Sequence, residues 1–358
     1  MARYIWADPA WPAFHWDAET VTPALGQAAR LQGEVLGAVR HLTDEGRRRL
    51  QLDALTADAV ETSRIEGELL DPASVRRSIA RRLDRSDGPV PSDHDVEAIS
   101  SLTVATLDAS PLTRGRLLAW HLLLFDDGGV FRNDEIAVIS GAAGAQRVHF
   151  EAPPPGRLEA SIDAFVSWAN ADTTPDPFIA SAIAHFWLVT IHPFPDGNGR
   201  ISRAAADNVL ARTSPGAVRF VSMTRYISQH RAEYYTILER TQRGSLDITA
   251  WILWFLEGYA SAAEATLRII DEADAALAVW TRLARTGLSK RQADVIGRLL
   301  DGFRGKLTTA KYAKLAKVSE DTALRDLTEL VEKNVLIRQG AGKTTSWTLA
   351  KGEQLGTD

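Results

Sequence analysis

Twelve consecutive residues, His192-Pro193-Phe194-Pro195-Asp196-Gly197-Asn198-Gly199-Arg200-Ile201-Ser202-Arg203, gather the residue types that handle phosphate. Pro193 and Pro195 forbid helix just after a long apolar stretch that ends near Thr190, while Gly197 and Gly199 permit the backbone angles of a tight loop. A helix restarting at about Asn198–Ile201 would aim free N–H groups and the positive end of its dipole at an anion. Arg200 and Arg203, three residues apart, should project from the same side of that first turn, and the guanidinium fork matches phosphate oxygens. Asp196 would repel a phosphate by itself but suits a magnesium ion bridging phosphates. His192 is the one group there able to take a proton near neutral pH. The two prolines exclude the helical i,i+4 geometry that a His192–Asp196 metal pair would need. Taken singly, each part has a plain structural alternative, such as a packed histidine or an ordinary Gly-Asn-Gly turn. All of them together within twelve residues are hard to assign to chance.

Helical periodicity supplies the elements that must hold this loop. It covers Leu25–Leu42, Arg49–Glu66, Val96–Leu107, Thr113–Phe125, Leu158–Asn170, Pro177–Thr190, Ser202–Ala211, Arg231–Arg240 and Thr249–Ala273. One hairpin interrupts the helices: Ala137–Ser140 and Arg147–Phe150 flank the glycine-bounded turn Gly141–Ala145, and Pro153–Pro155 stop the second strand. Asp87–Asp95 reads as a loop. The basic run Arg76, Arg77, Arg81, Arg82 and Arg85 lies on a further helix, and a solvated face is favoured there over a site for an acidic partner. Tyr4–Asp17 is rich in Trp and Pro and too short to fold alone, so it should pack as an aromatic strap.

Composition sets the limits. A chain of 358 residues should build two or three folded units, and 45% hydrophobic with 24% charged residues is globular. The absence of cysteine excludes a disulfide framework, a thiolate metal site and a cysteine nucleophile, and it fits a reducing cytosol. The N-terminus, MARYIWADPAWPAF, lacks the apolar core of a signal peptide, and no apolar run reaches membrane-spanning length, so a cytoplasmic protein without a membrane partner is expected. Charge is uneven. Leu288–Ala350 carries 12 Lys and Arg against 7 Asp and Glu, within a chain of net charge -5, so an acidic body precedes a basic C-terminal unit.

The stretch from His192 to Arg203 resembles, without a departure, the signature of the Fic family: HxF, one residue, Asp or Glu, GNGR, two residues, Arg. The hairpin resembles the family's flap, His230–Leu256 its closing helices, and the N-terminal third the region attached to many bacterial members. The resemblance implies a role for each matching residue. His192 would deprotonate a hydroxyl that attacks the α-phosphorus of ATP, and Phe194 would anchor the loop in the core. Asp196 would hold Mg2+. Gly197, Asn198 and Gly199 would cradle phosphates, with Asn198 also bonding the α-phosphate. Arg200 and Arg203 would balance the remaining charge, Arg203 meeting the γ-phosphate. Tyr234, Tyr235 and Gln242 fall in the family's adenine-pocket region, where Gln242 departs from a frequent asparagine. His149, Phe150, Glu151 and Ala152, the flap edge, would bind a target by strand addition.

Thr62-Ser63-Arg64-Ile65-Glu66-Gly67 resembles the family's inhibitory motif, Ser or Thr, three residues, Glu, then Gly or Asn. The resemblance implies that Glu66 pairs with Arg203, so that ATP binds misaligned. From the residues alone, Glu66 is an acid at a helix end facing the negative end of a dipole, and Glu68 is a neighbouring equivalent. At the C-terminus a helix Ser289–Leu300 precedes Ala310–Leu315, the turn Lys317–Asp321, the helix Thr322–Glu332, and strands Val335–Gln339 and Ser346–Leu349 around Gly340–Thr345. That order is a winged helix-turn-helix. Its local basic surplus and Lys343 favour DNA, whereas Asp321, Asp326, Glu329 and Glu332 on the recognition helix oppose it, so a protein contact or a structural role stands beside DNA binding.

The expected fold is therefore mainly α: a Fic-type helical bundle with a small β-hairpin flap, followed by a winged helix-turn-helix. The expected division is 1–95 for the N-terminal segment and inhibitory helix, 96–275 for the catalytic domain, 276–350 for the winged helix and 351–358 for a tail. The expected function is transfer of AMP from ATP to a protein Ser, Thr or Tyr hydroxyl, on another protein or on itself, held back by Glu66. The alternatives are a DNA-binding regulator with a nucleotide-sensing Fic domain, or a Fic enzyme that removes AMP or uses another donor. A homodimer is left open.

Overall fold

The computed structural model describes residues 4–84, 93–140, 147–171, 176–213, 220–285, 287–300, 305–342 and 345–350. The architecture is mainly α, as expected. By contacts the chain divides into two compact units, 1–268 and 269–358.

In the first unit, α1 (Ala18–His41) starts well before the apolar period does, because Asp17 caps it by accepting from the Glu19 and Thr20 N–H groups. The cap, not the hydrophobic face, sets the boundary. Helix α2 (Asp44–Glu66) is capped by Thr43 and ends at Gly67, whose φ of 95° lets the Glu68 N–H return to Ser63 O at 2.9 Å. Helices α3 (Pro72–Leu83), α4 (His94–Ala105) and α5 (Arg114–Leu124) follow. The basic run on α3 is a solvated face only in part, at the exposed Arg77, which donates to Ser74 of its own helix. Arg76 pairs with Asp53 of α2, while Arg81 and Arg82 pair with Glu97 of α4 at 2.6 and 2.7 Å, so the run clasps three helices together. Arg85 and most of the Asp87–Asp95 loop lie outside the described residues.

Strands β1 (Ala137–Ser140) and β2 (Arg147–Glu151) pair antiparallel, with an irregularity between Val138 and Ile139. The predicted turn between them lies outside the described residues. Helix α6 (Leu158–Ala169) leads to α7 (Pro177–Ile191), where every residue from Phe178 to Ile191 is buried. A helix that is apolar on all sides must run through the core, and α7 does, against α8 (Asn198–Thr213). The short helix α9 (Met223–Gln229) was not visible as a period; it precedes α10 (Arg231–Gln242). Helix α11 spans Thr249–Arg285, longer than its predicted end at Ala273.

The aromatic strap packs as expected. Trp11 and Phe14 meet Trp187 edge-on, with centroids at 6.3 and 5.6 Å, and Tyr4 meets Phe150 at 5.3 Å. His15 N–H reaches Leu246 O at 3.0 Å and Asp17 N–H reaches Thr249 Oγ1 at 2.8 Å, so the strap spans the unit from its first residues to the start of α11.

The second unit contains α12 (Lys290–Leu300), α13 (Thr309–Ala316), α14 (Glu320–Glu332), β3 (Leu336–Gln339) and β4 (Ser346–Leu349). Val295, Tyr312, Leu327, Leu330 and Trp347 form its own core. Lys317 takes the left-handed conformation at the turn between α13 and α14, and β3 pairs antiparallel with β4. Asp326 was counted among the acids that oppose DNA, but it points inward. It is buried, accepts from Arg291 Nε and Nη2 at 2.8 Å each, and accepts from Tyr312 Oη at 3.1 Å. Lys343, in the wing, lies outside the described residues.

Candidate functional site

Between α7 and α8 the chain turns through His192–Gly197. His192 is left-handed (φ 53°), and its N–H closes α7 on Leu188 O at 3.0 Å. Phe194 is fully buried and stacks on His121 with centroids 4.3 Å apart, which pins the loop in the core. Asn198 was expected to bond the α-phosphate, but its carboxamide is engaged within the loop at both ends. Oδ1 accepts from Phe194 N–H at 2.9 Å and Nδ2 donates to Phe194 O at 2.8 Å. Gly197 has φ 73°, and a Cβ there would stand 2.8 Å from Phe125. The exposed Asp196 accepts from Gly197 N–H at 2.6 Å, leaving Oδ2 at the lip of the loop.

His192 Nδ1 lies 3.2 Å from Val189 O, and a carbonyl can only accept. The proton of the neutral ring is therefore on Nδ1, and Nε2 presents its lone pair. Burial is the main cause of a pKa pulled down to about 4, and the charge of Arg132 acts in the same direction against the opposing pull of Glu66 and Asp196. The imidazole is uncharged at neutral pH.

A cavity of about 450 Å3 opens over this loop. His192, Gly199 and Arg203 line it on one side, and Tyr234, Tyr235 and Gln242 on another. Tyr234 is buried and its hydroxyl lies 3.0 Å from Nε2 of the buried His185, whose own pKa burial lowers to about 3. Gln242 donates to Thr190 Oγ1 at 3.2 Å, and Tyr235 is 40% exposed beneath the Arg231 guanidinium. Asp196, Gly197, Asn198 and Arg200 do not line this cavity. The two arginines were expected on one side of the first turn, yet they diverge. Arg200 lies over the Phe125 ring at 5.2 Å and borders a second, acidic cavity of about 290 Å3 with Glu68 and Asp126.

Both arginines are held by the end of α2. Arg203 donates to Glu66 Oε1 at 2.7 Å and to Thr62 Oγ1 at 2.8 Å. Arg200 donates to Glu68 Oε1 and Oε2 at 2.9 and 3.1 Å. Burial would raise the Glu66 pKa, but the charge and hydrogen bond of Arg203, with Arg200 and Arg231 adding, hold it below the ordinary range. Gly199 shows how tightly Glu66 is seated: a Cβ on Gly199 would lie 2.5 Å from Glu66 Oε1. The carboxylate thus lies against the first turn of α8. Near Arg203, loss of solvation raises the carboxyls of the buried Asp58 and the half-buried Asp207, Asp58 to about 6.

The flap differs from expectation in which edge is free. His149 and Phe150 line the cavity, but the backbone acceptors of β2 are taken. Arg243 donates to Val148 O at 2.7 Å and His149 O at 3.0 Å, and Trp6 Nε1 donates to Glu151 O at 2.7 Å. Ala152 N–H is bonded to Ile136 O at 2.9 Å, and Phe150 and Ala152 are buried. The predicted docking edge His149–Ala152 is covered from within, and β1, exposed along its length, is the outer strand. Sequence reasoning also missed Arg132, whose guanidinium reaches His192 O at 2.7 Å. The only signal was a lone arginine in Phe131-Arg132-Asn133-Asp134, outside any periodic element.

A buried helix, a left-handed histidine turn and a glycine loop opening a second helix, with a hairpin bordering the cavity, form the centre of the first unit. Residues 111–210 match the Fic/DOC family model, and over that stretch the chain is a Fic-family domain. Residues 291–345 match a DeoR-like helix-turn-helix domain, and 4–84 match a domain of unknown function (DUF4172). The chain is 28% identical over 219 residues to the protein adenylyltransferase Fic of Culex quinquefasciatus, an alignment of 58% of this chain and 41% of that one. For the Drosophila melanogaster protein of the same name the figures are 27% over 225 residues, 60% and 42%. The chain thus spans about two fifths of the length of the curated relatives it matches. In fold it is similar to a Fic family protein from Desulfovibrio desulfuricans (TM-score 0.54, 21% identity, covering 96% and 99% of the two chains). It is also similar to Fic-1 from C. elegans (TM-score 0.53, 22% identity, covering 72% and 73%). No helix among the described residues is long and apolar enough to cross a membrane.

Proposed function

We propose that this protein transfers AMP from ATP to a hydroxyl of a protein, itself included, and that the end of α2 restrains the reaction. The observation that carries the reading is the Glu66 carboxylate lying against the first turn of α8 beside a neutral His192 whose Nε2 is free to accept a proton. The target hydroxyl would meet Nε2. As its oxygen bonds to the α-phosphorus, its proton passes to the imidazole, and the bond to pyrophosphate breaks. A base this weak takes the proton only as the new P–O bond forms, which is general-base catalysis. The α8 N-terminus and Arg203 would stabilise the phosphate charge. Among the described residues no group of three or more His, Asp or Glu side chains could hold a metal by itself. One free carboxylate oxygen of Asp196 beside a phosphate cradle fits a magnesium ion shared with the nucleotide. Mg2+ bound there would neutralise phosphate charge.

In the restrained form Glu66 holds Arg203 away from the γ-phosphate, and Glu68 holds Arg200. A target segment would add to the outer strand β1 rather than to β2, bringing its hydroxyl past Val138 and Ile139, which line the same cavity.

Mass spectrometry of the chain and a cell lysate incubated with ATP and magnesium tests the reading. Glu66→Gly is expected to raise AMP addition on Ser, Thr or Tyr by at least about ten-fold, and His192→Ala to lower it by about 10²–10⁴-fold. No mass gain from Glu66→Gly would overturn it. The helix-turn-helix match at 291–345 favours one second reading, a DNA-binding regulator whose Fic site senses nucleotide. A DNA shift that responds to ATP in His192→Ala, with no AMP transfer by Glu66→Gly, would replace the first reading with the second.

A further inference from the structure

Helix α7 closes in a left-handed turn at His192. Such turns close on the N–H of the left-handed residue itself, as His192 does on Leu188 O, and many add a second bond from the N–H of the following residue. Here that residue is Pro193, which has no N–H. A non-glycine residue in the left-handed region stores strain and persists only where its surroundings over-determine it. In place of that second bond, Arg132 donates to the carbonyls of the turn itself. Its Nε donates to His192 O at 2.7 Å, its Nη2 to Ile191 O at 3.4 Å, and its backbone N–H to Pro193 O at 3.0 Å. The same fork donates to Asp134 O and Pro153 O at 2.6 Å each. Those two residues stand just before β1 and just after β2.

Arg132 is buried, with 5% of its surface exposed. Buried arginines are normally paired with a carboxylate. Among the described residues Arg132 has no carboxylate within ion-pair distance, and backbone carbonyls satisfy its guanidinium instead. A single planar fork serves three separate segments, which a lysine ammonium could not do.

We propose that Arg132 is a positioning residue of this site: it fixes the left-handed turn that presents His192 to the cavity and joins that turn to both feet of the hairpin. The assignment rests on the reading of His192 as the base. Arg132 also acts through charge. The charged groups acting on His192 are Arg132, Glu66 and Asp196, with Val189 O on Nδ1. Arg132 disfavours the imidazolium, and the two carboxylates favour it. Loss of the Arg132 charge therefore makes His192 easier to protonate, so activity should fail at a higher pH on the acid side.

The test uses the full chain in the Glu66→Gly background with Arg132→Lys and Arg132→Met. Three quantities are read: kcat for AMP transfer, the KM for ATP, and the ¹⁵N resonances of the His192 ring across pH, assigned by their absence in His192→Gln. Both variants are expected to lose about 10²-fold in kcat, since displacement of a reacting group by an ångström costs that much. The KM for ATP should stay within about two-fold, because the fork does not touch the cradle. Arg132→Met should raise the pH at which the His192 ring protonates, and Arg132→Lys should stay nearer the parent. Folded variants with parental kcat and parental ring titration would overturn the proposal. So would an equal loss of kcat and ATP affinity, or failure of both variants to fold, each of which would make Arg132 a residue of the scaffold. If the Glu66→Gly parent transfers no AMP, the reading of the reaction falls. The ring resonances then still decide the role of Arg132: an unchanged tautomer and titration in Arg132→Met would reject it, and a displaced one would support it.

Discussion

Glu66 and Glu68 stand on either side of Gly67, and the left-handed turn at Gly67 sends one carboxylate to each arginine of the phosphate loop. Release of Arg203 alone leaves Arg200 held. Because Glu68 is 35% exposed, its pair is screened and weaker than that of Glu66. Glu68→Ala alone is therefore expected to raise AMP transfer by about three-fold, the worth of a partly exposed ion pair. Combined with Glu66→Gly it should exceed Glu66→Gly by a similar factor, read by the same mass spectrometry. No gain in either background would reduce Glu68 to a surface contact. At this scale the sequence was most legible where backbone chemistry constrains residue type. Pro193, Gly197 and Gly199 announce the loop, and Gly67 announces the helix end. It was least legible where a side chain bonds distant backbone, as Arg132 does, because carbonyls leave no mark on residue identity. The direction of Arg200 was missed for a related reason. Helical spacing placed it beside Arg203, but the Phe125 ring and Glu68, both remote in sequence, turn it away.

Helix α2 is the element on which the proposed restraint depends, and Asp58 with Asp207 lies near its contact with Arg203. Asp58 accepts from Ser222 Oγ, and it shares its surroundings with Asp207 of α8 and with Arg203. Both carboxyls are raised by burial. An acid whose folded pKa is raised contributes stability that is fully present below its unfolded value and is lost as pH rises through the folded one. Asp58 should therefore cost stability increasingly between about pH 4 and pH 6 and in full above that range, on the order of 1–3 kcal/mol. Asp58→Asn keeps a hydrogen-bond acceptor for Ser222 and removes the titration. Its melting temperature is expected to match the parent near pH 4 and exceed it at pH 8. A parallel pH dependence in the two proteins would show that Asp58 is ionised in the fold. Elements themselves were read well from period where they are long and amphipathic, and poorly elsewhere. Helix α9 is seven residues long, too short to show a period. Helix α1 begins at its Asp17 cap inside a segment whose Trp and Pro content reads as irregular.

At the scale of the molecule the two compact units have separate cores. Among the described residues of 269–358, the buried acid Asp326 is satisfied by Arg291 and Tyr312. Arg291→Ala should destabilise this unit by about 1–2 kcal/mol, an amount reduced because Arg291 is 40% exposed. Hydrogen exchange over residues 290–349 should quicken while AMP transfer stays parental. Unchanged exchange would mean that solvent or Tyr312 alone suffices for Asp326. The inward turn of Asp326 also shows why a charge census of α14 misjudged its surface: a helix shows its acids to a partner only on one face, and only packing decides which. Finally, a chain is made from its N-terminus, and its parts fold as they emerge. Glu66 lies 137 positions before Arg203, and Glu68 lies 132 before Arg200. The two carboxylates therefore leave the ribosome before either arginine exists. Under the proposed restraint, a nascent copy thus carries the two carboxylates before it carries the loop they occupy.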